Sequence, residues 1–309
     1  MNKEKIIVIL GPTASGKTGL SIELAKKLNT EIISGDSQLV YRGFDIGAAK
    51  PDMRERQGVV HHMIDILPPE ATFNVADFIQ QVKPLITKLN SQGKIPVLAG
   101  GTGLYIKSLV EGYQFNETAG DKAYRQYLEN LAETKGKEYV HKMLQKVNPE
   151  AAQRIHPNNF RRVIRALEVY HLGGEQISTD RESELIYDVY VAGLYWRRDL
   201  LYDRINRRVD MMIAGGLAQE VSQLLAAGAA PDCQAMRGIG YKEMLRHIHG
   251  ECSLTDAGNE IKKATRHFAK RQLTWYRKMP YIHWYHPALY KGQGLLDNVT
   301  WNIARFFNH

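Results

Sequence analysis

The stretch Ile6-Ile7-Val8-Ile9-Leu10-Gly11-Pro12-Thr13-Ala14-Ser15-Gly16-Lys17-Thr18 decides how the rest of the chain is read. Five consecutive apolar residues, mostly β-branched, read as a strand buried on both faces, as in parallel sheets. Gly11-Pro12 ends it. Residues 17–28 then place Leu20, Ile22, Leu24, Ala25 and Leu28 at mostly helical spacing. Between strand and helix, Gly11 to Thr18 match G-x-x-x-x-G-K-[ST], the phosphate-binding P-loop, in the setting the motif requires. The glycines let backbone N–H groups turn toward phosphate oxygens, and the helix points its positive end at the same anion. Lys17 supplies a point charge, and Thr18 offers a hydroxyl to Mg²⁺. Such a loop implies a bound polyphosphate and leaves its fate open.

Working outward, Glu31 to Ser34 and Ile95 to Ala99 read as two further strands, with a helix at 75–92 between them ended by Gly93. Alternating strands and helices give an α/β fold with a parallel sheet core. Residues 118–185 are polar and helix-rich, with helices near 121–134, 137–147 and 158–172 and breaks at Asn148-Pro149 and His156-Pro157. They read as a helical insertion between core segments 1–117 and 186–309. A strand returns at 187–194. The remainder reads as helical, including one long helix at 257–279.

Two more loops follow predicted strands at their carboxyl ends, the side that faces ligands in open parallel sheets. The first holds Asp36, able to bind a metal, take a proton or cap a turn. The second is Gly100-Gly101-Thr102-Gly103, which permits close backbone approach and offers the Thr102 hydroxyl. On 203–210, Arg204, Arg207 or Arg208 could meet phosphate. Pairing with Asp203 or Asp210 is the better expectation for at least one of them.

The chain has 309 residues and a formal charge of +8. The excess is local: residues 196–309 hold 17 basic and 10 acidic side chains, and 262–278 hold seven basic and no acidic ones. Lys263, Arg266, Lys270 and Arg277 share one helical face, which fits a polyanionic partner as well as a solvated surface. The charge, rather than the interleaved Phe268, Trp275 and Tyr276, is assigned to RNA. Two cysteines without a metal-binding pattern exclude a disulfide framework and fit a reducing compartment. No apolar stretch reaches membrane-spanning length. The His61-His62, His247/His249 and His283/His286 pairs lack a zinc ligand set and read as structural.

Together these segments closely resemble the tRNA dimethylallyltransferase (tRNA isopentenyltransferase) family of bacterial type. The resemblance rests on GPTASGKT (11–18), DSQLVYRGFDIGAAKP (36–51), HHMIDI (61–66), GGTGLY (100–105), AAQRIHPNN (151–159), RALEVY (165–170), RGIGYKEM (237–244) and KRQLTWYR (270–277). It implies a P-loop kinase-like core with a clamping helical insertion. It also implies transfer of a dimethylallyl group from dimethylallyl diphosphate to N6 of the adenosine 3′ of the anticodon. Gly11, Pro12, Thr13, Ala14, Ser15, Gly16, Lys17 and Thr18 would hold the diphosphate with Mg²⁺ at Thr18. Lys17 and Arg208 would neutralise it, Asp36 would be the general base, and Thr102 would position the acceptor base. Contacts to the tRNA anticodon stem-loop would fall on Asp36, Ser37, Gln38, Leu39, Thr102, Arg125, Arg161, Arg162, Val163, Ile164 and Arg165. Further contacts would fall on Arg237, Gly238, Ile239, Gly240, Tyr241 and Lys242, and on Lys270, Arg271, Gln272, Leu273, Thr274, Trp275, Tyr276 and Arg277. A cytoplasmic monomer without membrane contact is expected. The competing readings are a P-loop small-molecule kinase and an adenylate isopentenyltransferase acting on free nucleotides.

Overall fold

A computed structural model of the chain describes residues 3–113, 121–173 and 184–308. They belong to two compact units, Met1–Gly112 with Glu184–His309, and Tyr113–Ser183. The expected boundary between residues 117 and 118 lies outside the described residues.

The first unit is built on six parallel strands: β1 (Lys5–Leu10), β2 (Ile32–Ser34), β3 (His61–His62), β4 (Val97–Gly100), β5 (Asp188–Leu194) and β6 (Ile282–Tyr285). Their order is β3-β2-β4-β1-β5-β6. β1 therefore lies inside the sheet, with Leu10 level with Gly100 on one side and Gly193 on the other. This explains its unbroken apolar run: Ile6 to Leu10 are all fully buried. Flanking the sheet are α1 (Lys17–Lys27), α2 (Val75–Ser91) and α3 (Gly103–Val110). α2 begins at a capping box, where the Asn74 side chain accepts from Ala76 N–H and Asp77 N–H and the Asp77 carboxylate accepts from Asn74 N–H.

The second unit contains α4 (Lys122–Lys135), α5 (Lys137–Val147), α6 (Pro149–Arg154) and α7 (Phe160–His171). Its core is Leu128, Val140, Leu144, Val163, Ile164 and Leu167. Asn148-Pro149 breaks the helices as expected, ending α5 and also starting the short α6: Asn148 accepts from Ala151 N–H at 2.8 Å and Pro149 takes the first turn.

The remainder of the first unit comprises α8 (Arg198–Ala214), α9 (Leu217–Ala226), α10 (Tyr241–Ile248), α11 (Leu254–Tyr276) and α12 (Gly294–Phe307). The expectation that this region is wholly helical fails at β6, which pairs with β5 from Val191↔Ile282 to Leu194↔Tyr285. Its Ile-His-Trp-Tyr sequence alternates too briefly to read as a strand, and the neighbouring strand supplies what the pattern lacks. β3, with only two residues, escaped for the same reason.

Four strands end side by side at their carboxyl edge, and this positions the loops that follow. The loops after β2 and β4 touch so closely that a Cβ on Gly100 would stand 2.5 Å from the Gly35 carbonyl oxygen. Gly35 N–H donates to Ala99 O at 2.8 Å across the same junction. Gly100→Ala is expected to cost about 1–3 kcal/mol, because backbone rather than a side chain must give way. A denaturant midpoint equal to wild type at unchanged slope would contradict this.

Candidate active site

The P-loop runs from the end of β1 into α1. Ala14 and Gly16 both take positive φ, 62° and 96°, which turns the chain back on itself. The N–H groups of Gly16, Lys17, Thr18 and Gly19 have no acceptor among the described residues. Four orphan donors at a helix N-terminus form an anion-binding cradle.

The loop carbonyls, in contrast, are occupied. Tyr276 hydroxyl reaches Gly11 O at 3.1 Å. Lys17 Nζ donates to Pro12 O at 2.9 Å, Arg204 Nε to Ala14 O at 2.7 Å and Trp196 Nε1 to Ser15 O at 2.9 Å. Arg204 also lies over the Trp196 ring, 4.5 Å from its centroid. Gln272 accepts from Thr13 N–H at 2.9 Å.

A cavity of about 340 Å³ opens on this loop, lined by Ala14 to Thr18 and by Arg204, Arg207, Arg208 and Met211 of α8. All three arginines thus face it. None pairs with Asp203 or Asp210 among the described residues, contrary to expectation; Asp210 pairs with Lys262 of α11 instead, at 2.5 Å. Arg204 is committed to the loop backbone, and Arg208 is the least exposed of the three. Burial lowers the Arg208 pKa, an effect the carboxylates of Asp36 and Glu55 oppose. Burial also pushes Lys17 down to about 7; Arg208 adds to this and Asp36 resists it. Asp36 is therefore within electrostatic reach of both cations.

Asp36 sits just past β2, half-buried, and its Oδ1 accepts from Gln38 N–H at 2.9 Å. That turn uses one oxygen, so turn-capping does not preclude a chemical role. Thr102 heads α3 through its backbone carbonyl, which accepts from Tyr105 N–H at 2.9 Å. Its hydroxyl makes no hydrogen bond with described residues. Thr18 is exposed at the mouth of the loop. No group of three or more His, Cys, Asp or Glu among the described residues forms a metal cage.

The segments assigned to RNA divide by burial. Arg161, Arg162, Lys270, Arg271, Thr274 and Arg277 are exposed. Ser37 to Leu39 are half-buried, and Gln38 packs against Gly238, joining the first and third of these segments. Arg125 and Arg165 both bind buried Glu168, at 2.9 and 2.8 Å. Five side chains of these segments are interior. Val163 and Ile164 belong to the helical core. Tyr241 donates to buried Glu220 at 2.9 Å, and Glu220 also accepts the N–H groups of Asp45, Ile46 and Gly47. Gln272 and Tyr276 face the P-loop. Within the basic run, Lys262 and Arg266 turn back to α8, Arg266 binding Asn206 at 2.8 Å. Lys263, Lys270, Arg271 and Arg277 have no carboxylate partner among the described residues.

Sequence reasoning missed Trp196, Met211, Glu220 and the inward role of Gln272 and Tyr276. The buried positions Ile261, Ala269, Gln272 and Tyr276 fall on one side of α11. An uncharged amide on the apolar side of a basic helix was the available signal.

A strand–loop–helix phosphate cradle inside a parallel sheet, faced by arginines from a later helix, defines a P-loop α/β protein. The model of the IPP transferase family matches residues 39–279. The tRNA dimethylallyltransferase of Bacillus cytotoxicus is 51% identical over 286 residues, 92% of this chain and 90% of that protein. The crystal structure of a tRNA isopentenylpyrophosphate transferase from Bacillus halodurans is 43% identical, with a TM-score of 0.75 over 99% of this chain and 97% of that one. A eukaryotic dimethylallyltransferase acting on tRNA aligns at a TM-score of 0.79 and 30% identity, over 92% of this chain and 74% of that one. The chain belongs to the IPP transferase family. No helix among the described residues is long and apolar enough to cross a membrane.

The depressed Lys17 pKa makes anion binding proton-linked. Above pH 7 the free amine is largely neutral, and a bound polyanion restores its charge. Calorimetry of inorganic pyrophosphate at pH 8 in buffers of different ionisation enthalpy should show uptake approaching one proton relative to Lys17→Arg. At pH 6 the difference should vanish. Equal uptake by both proteins at pH 8 would remove Lys17 from the linkage.

Proposed function

We propose that this enzyme transfers the dimethylallyl group of dimethylallyl diphosphate to N6 of the adenosine 3′ of the anticodon in tRNA, releasing diphosphate. One observation carries the reading. The cavity joins a P-loop with free N–H groups to three arginines, and the Asp36 carboxylate acts on Lys17 and Arg208 beside it. The names of its relatives support the same chemistry.

On this reading the N–H groups of Gly16 to Gly19 and Lys17 hold the diphosphate, with Arg207 and Arg208 facing it across the cavity. Mg²⁺, when bound, would be held by the Thr18 hydroxyl and diphosphate oxygens, and would neutralise charge on the leaving group. The acceptor amine is a poor nucleophile because its lone pair is delocalised into the ring. Asp36 takes its proton as the C–N bond forms and the allylic C–O bond breaks, leaving the electron pair on diphosphate. Arg208 and Lys17 stabilise that growing charge. Thr102 has a hydroxyl free to orient the base, which must leave its stack to reach Asp36. The exposed cations of α11 would track tRNA phosphates.

Incubation with labelled dimethylallyl diphosphate, Mg²⁺ and unmodified tRNA, followed by nucleoside analysis, should yield N6-dimethylallyladenosine. In parallel incubations, label entering supplied AMP in preference to tRNA would favour the adenylate-type reading, and phosphoryl transfer from supplied ATP the kinase reading. Asp36→Asn should lower turnover by about 10²–10⁴-fold, with a much smaller change in pyrophosphate affinity at pH 6. Turnover equal to wild type would take Asp36 out of the proton transfer. Lys270→Ala should weaken tRNA binding and reduce its salt slope by about one unit; an unaltered slope would place Lys270 off the RNA.

A further inference from the structure

The two reactants of the proposed reaction are held by different loops, one after β1 and one after β4. Those strands are neighbours with Leu10 opposite Gly100, so the sheet fixes their spacing up to that point. Beyond it the ladder stops, and nothing in the strands sets how far apart the loops stand.

Gln272 bridges this gap. It is 5% exposed, and its Oε1 accepts from Thr13 N–H of the P-loop at 2.9 Å. Its Nε2 donates to Gly101 O, one residue before Thr102, at 2.8 Å. A primary amide presents an acceptor and a donor side by side, so one planar group measures both loops at once. The fit is tight on the acceptor side: a Cβ on Gly101 would stand 2.5 Å from Nε2. One helical turn on, the fully buried Tyr276 repeats the link, its hydroxyl 2.8 Å from Gly101 O and 3.1 Å from Gly11 O. Moving either loop leaves buried polar groups unpaired, which penalises departures from this spacing.

We infer that Gln272 is a positioning residue that fixes the distance between the diphosphate loop and the acceptor-base loop, a role that rests on the reaction proposed above. It touches neither substrate. Its loss changes the alignment of the reacting atoms more than the affinity for either partner. Misplacement of about 1 Å by a change outside the chemistry can cost about 10²-fold in rate.

The test is single-turnover transfer at saturating dimethylallyl diphosphate and tRNA, with pyrophosphate and tRNA affinities and unfolding midpoints measured beside it. Wild-type enzyme comes first: absence of product there overturns the proposed reaction, and the inference with it. Given wild-type product, Gln272→Met keeps the side-chain length and loses both bonds. The transfer rate should fall about 10- to 100-fold, with both affinities changed far less. Tyr276→Phe, which removes only a hydroxyl, should act in the same direction. The double variant should lose less than the product of the two losses, because both groups hold the Gly101 carbonyl. A rate within about twofold of wild type in both single variants would overturn the inference. So would a loss confined to tRNA affinity, which would put Gln272 on the RNA. If Gln272→Met does not accumulate folded, Tyr276→Phe decides alone.

Discussion

A backbone loop that binds phosphate must leave its N–H groups free, and that requirement shapes much of this molecule. Gly16 to Gly19 cannot spend their donors on protein acceptors and still cradle an anion. Within the loop one backbone bond closes a turn, from Ser15 N–H to Pro12 O at 3.2 Å. The structure compensates through the carbonyls. Gly11, Pro12, Ala14 and Ser15 each accept from a side chain, and three of the four donors arrive from residues 196, 204 and 276. The loop is thus held from behind by the carboxyl half of the chain. This is why α8 and α11 pack where they do, and why a motif of eight residues needs so large a fold around it.

The same requirement governs the charges. Three arginines, one lysine and few anions around one cavity repel one another, and burial makes the repulsion worse. For Lys17, burial first and the Arg208 charge second lower the affinity for its proton. Asp36 and Glu55 relieve Arg208 without forming a close ion pair with it. Closer pairing would lower the free energy of the empty site and would have to be broken when an anion enters. Partial neutralisation at a distance leaves the cations available. Arg204 follows the other course: bonded to Ala14 O and stacked on Trp196, it is structural first.

How much of this could be read in the sequence follows from the range of each interaction. β1, the P-loop and α1 are local, so their residues carry the whole signal: an apolar run, fixed glycines, a helical stripe. The loops bearing Asp36 and Thr102 could be assigned to the ligand edge because strand direction in a parallel sheet dictates it. β6 was hidden because four residues become a strand only beside β5. The inward faces of Gln272, Tyr276 and Tyr241 were hidden because their partners lie on other elements, Tyr241 meeting Ala48 N–H and Glu220 of α9, for instance. Families of short motifs mark segments that matter; they do not distinguish side chains that meet a substrate from side chains that hold those side chains in place.

That distinction bears on the positive charge of the carboxyl-terminal part. Seven basic residues in 262–278 look like one feature. In three dimensions α11 has two duties on opposite sides. Lys262 and Arg266 bind α8, while Gln272 and Tyr276 reach the loops after β1 and β4. Lys263, Lys270, Arg271 and Arg277 remain toward solvent without carboxylate partners among the described residues. A helix is stiff along its axis, so an RNA lying on its outer side and two loops hanging from its inner side share one rigid support. On the proposed reaction, the helix that would receive the tRNA is also the one whose Gln272 and Tyr276 join the loops after β1 and β4.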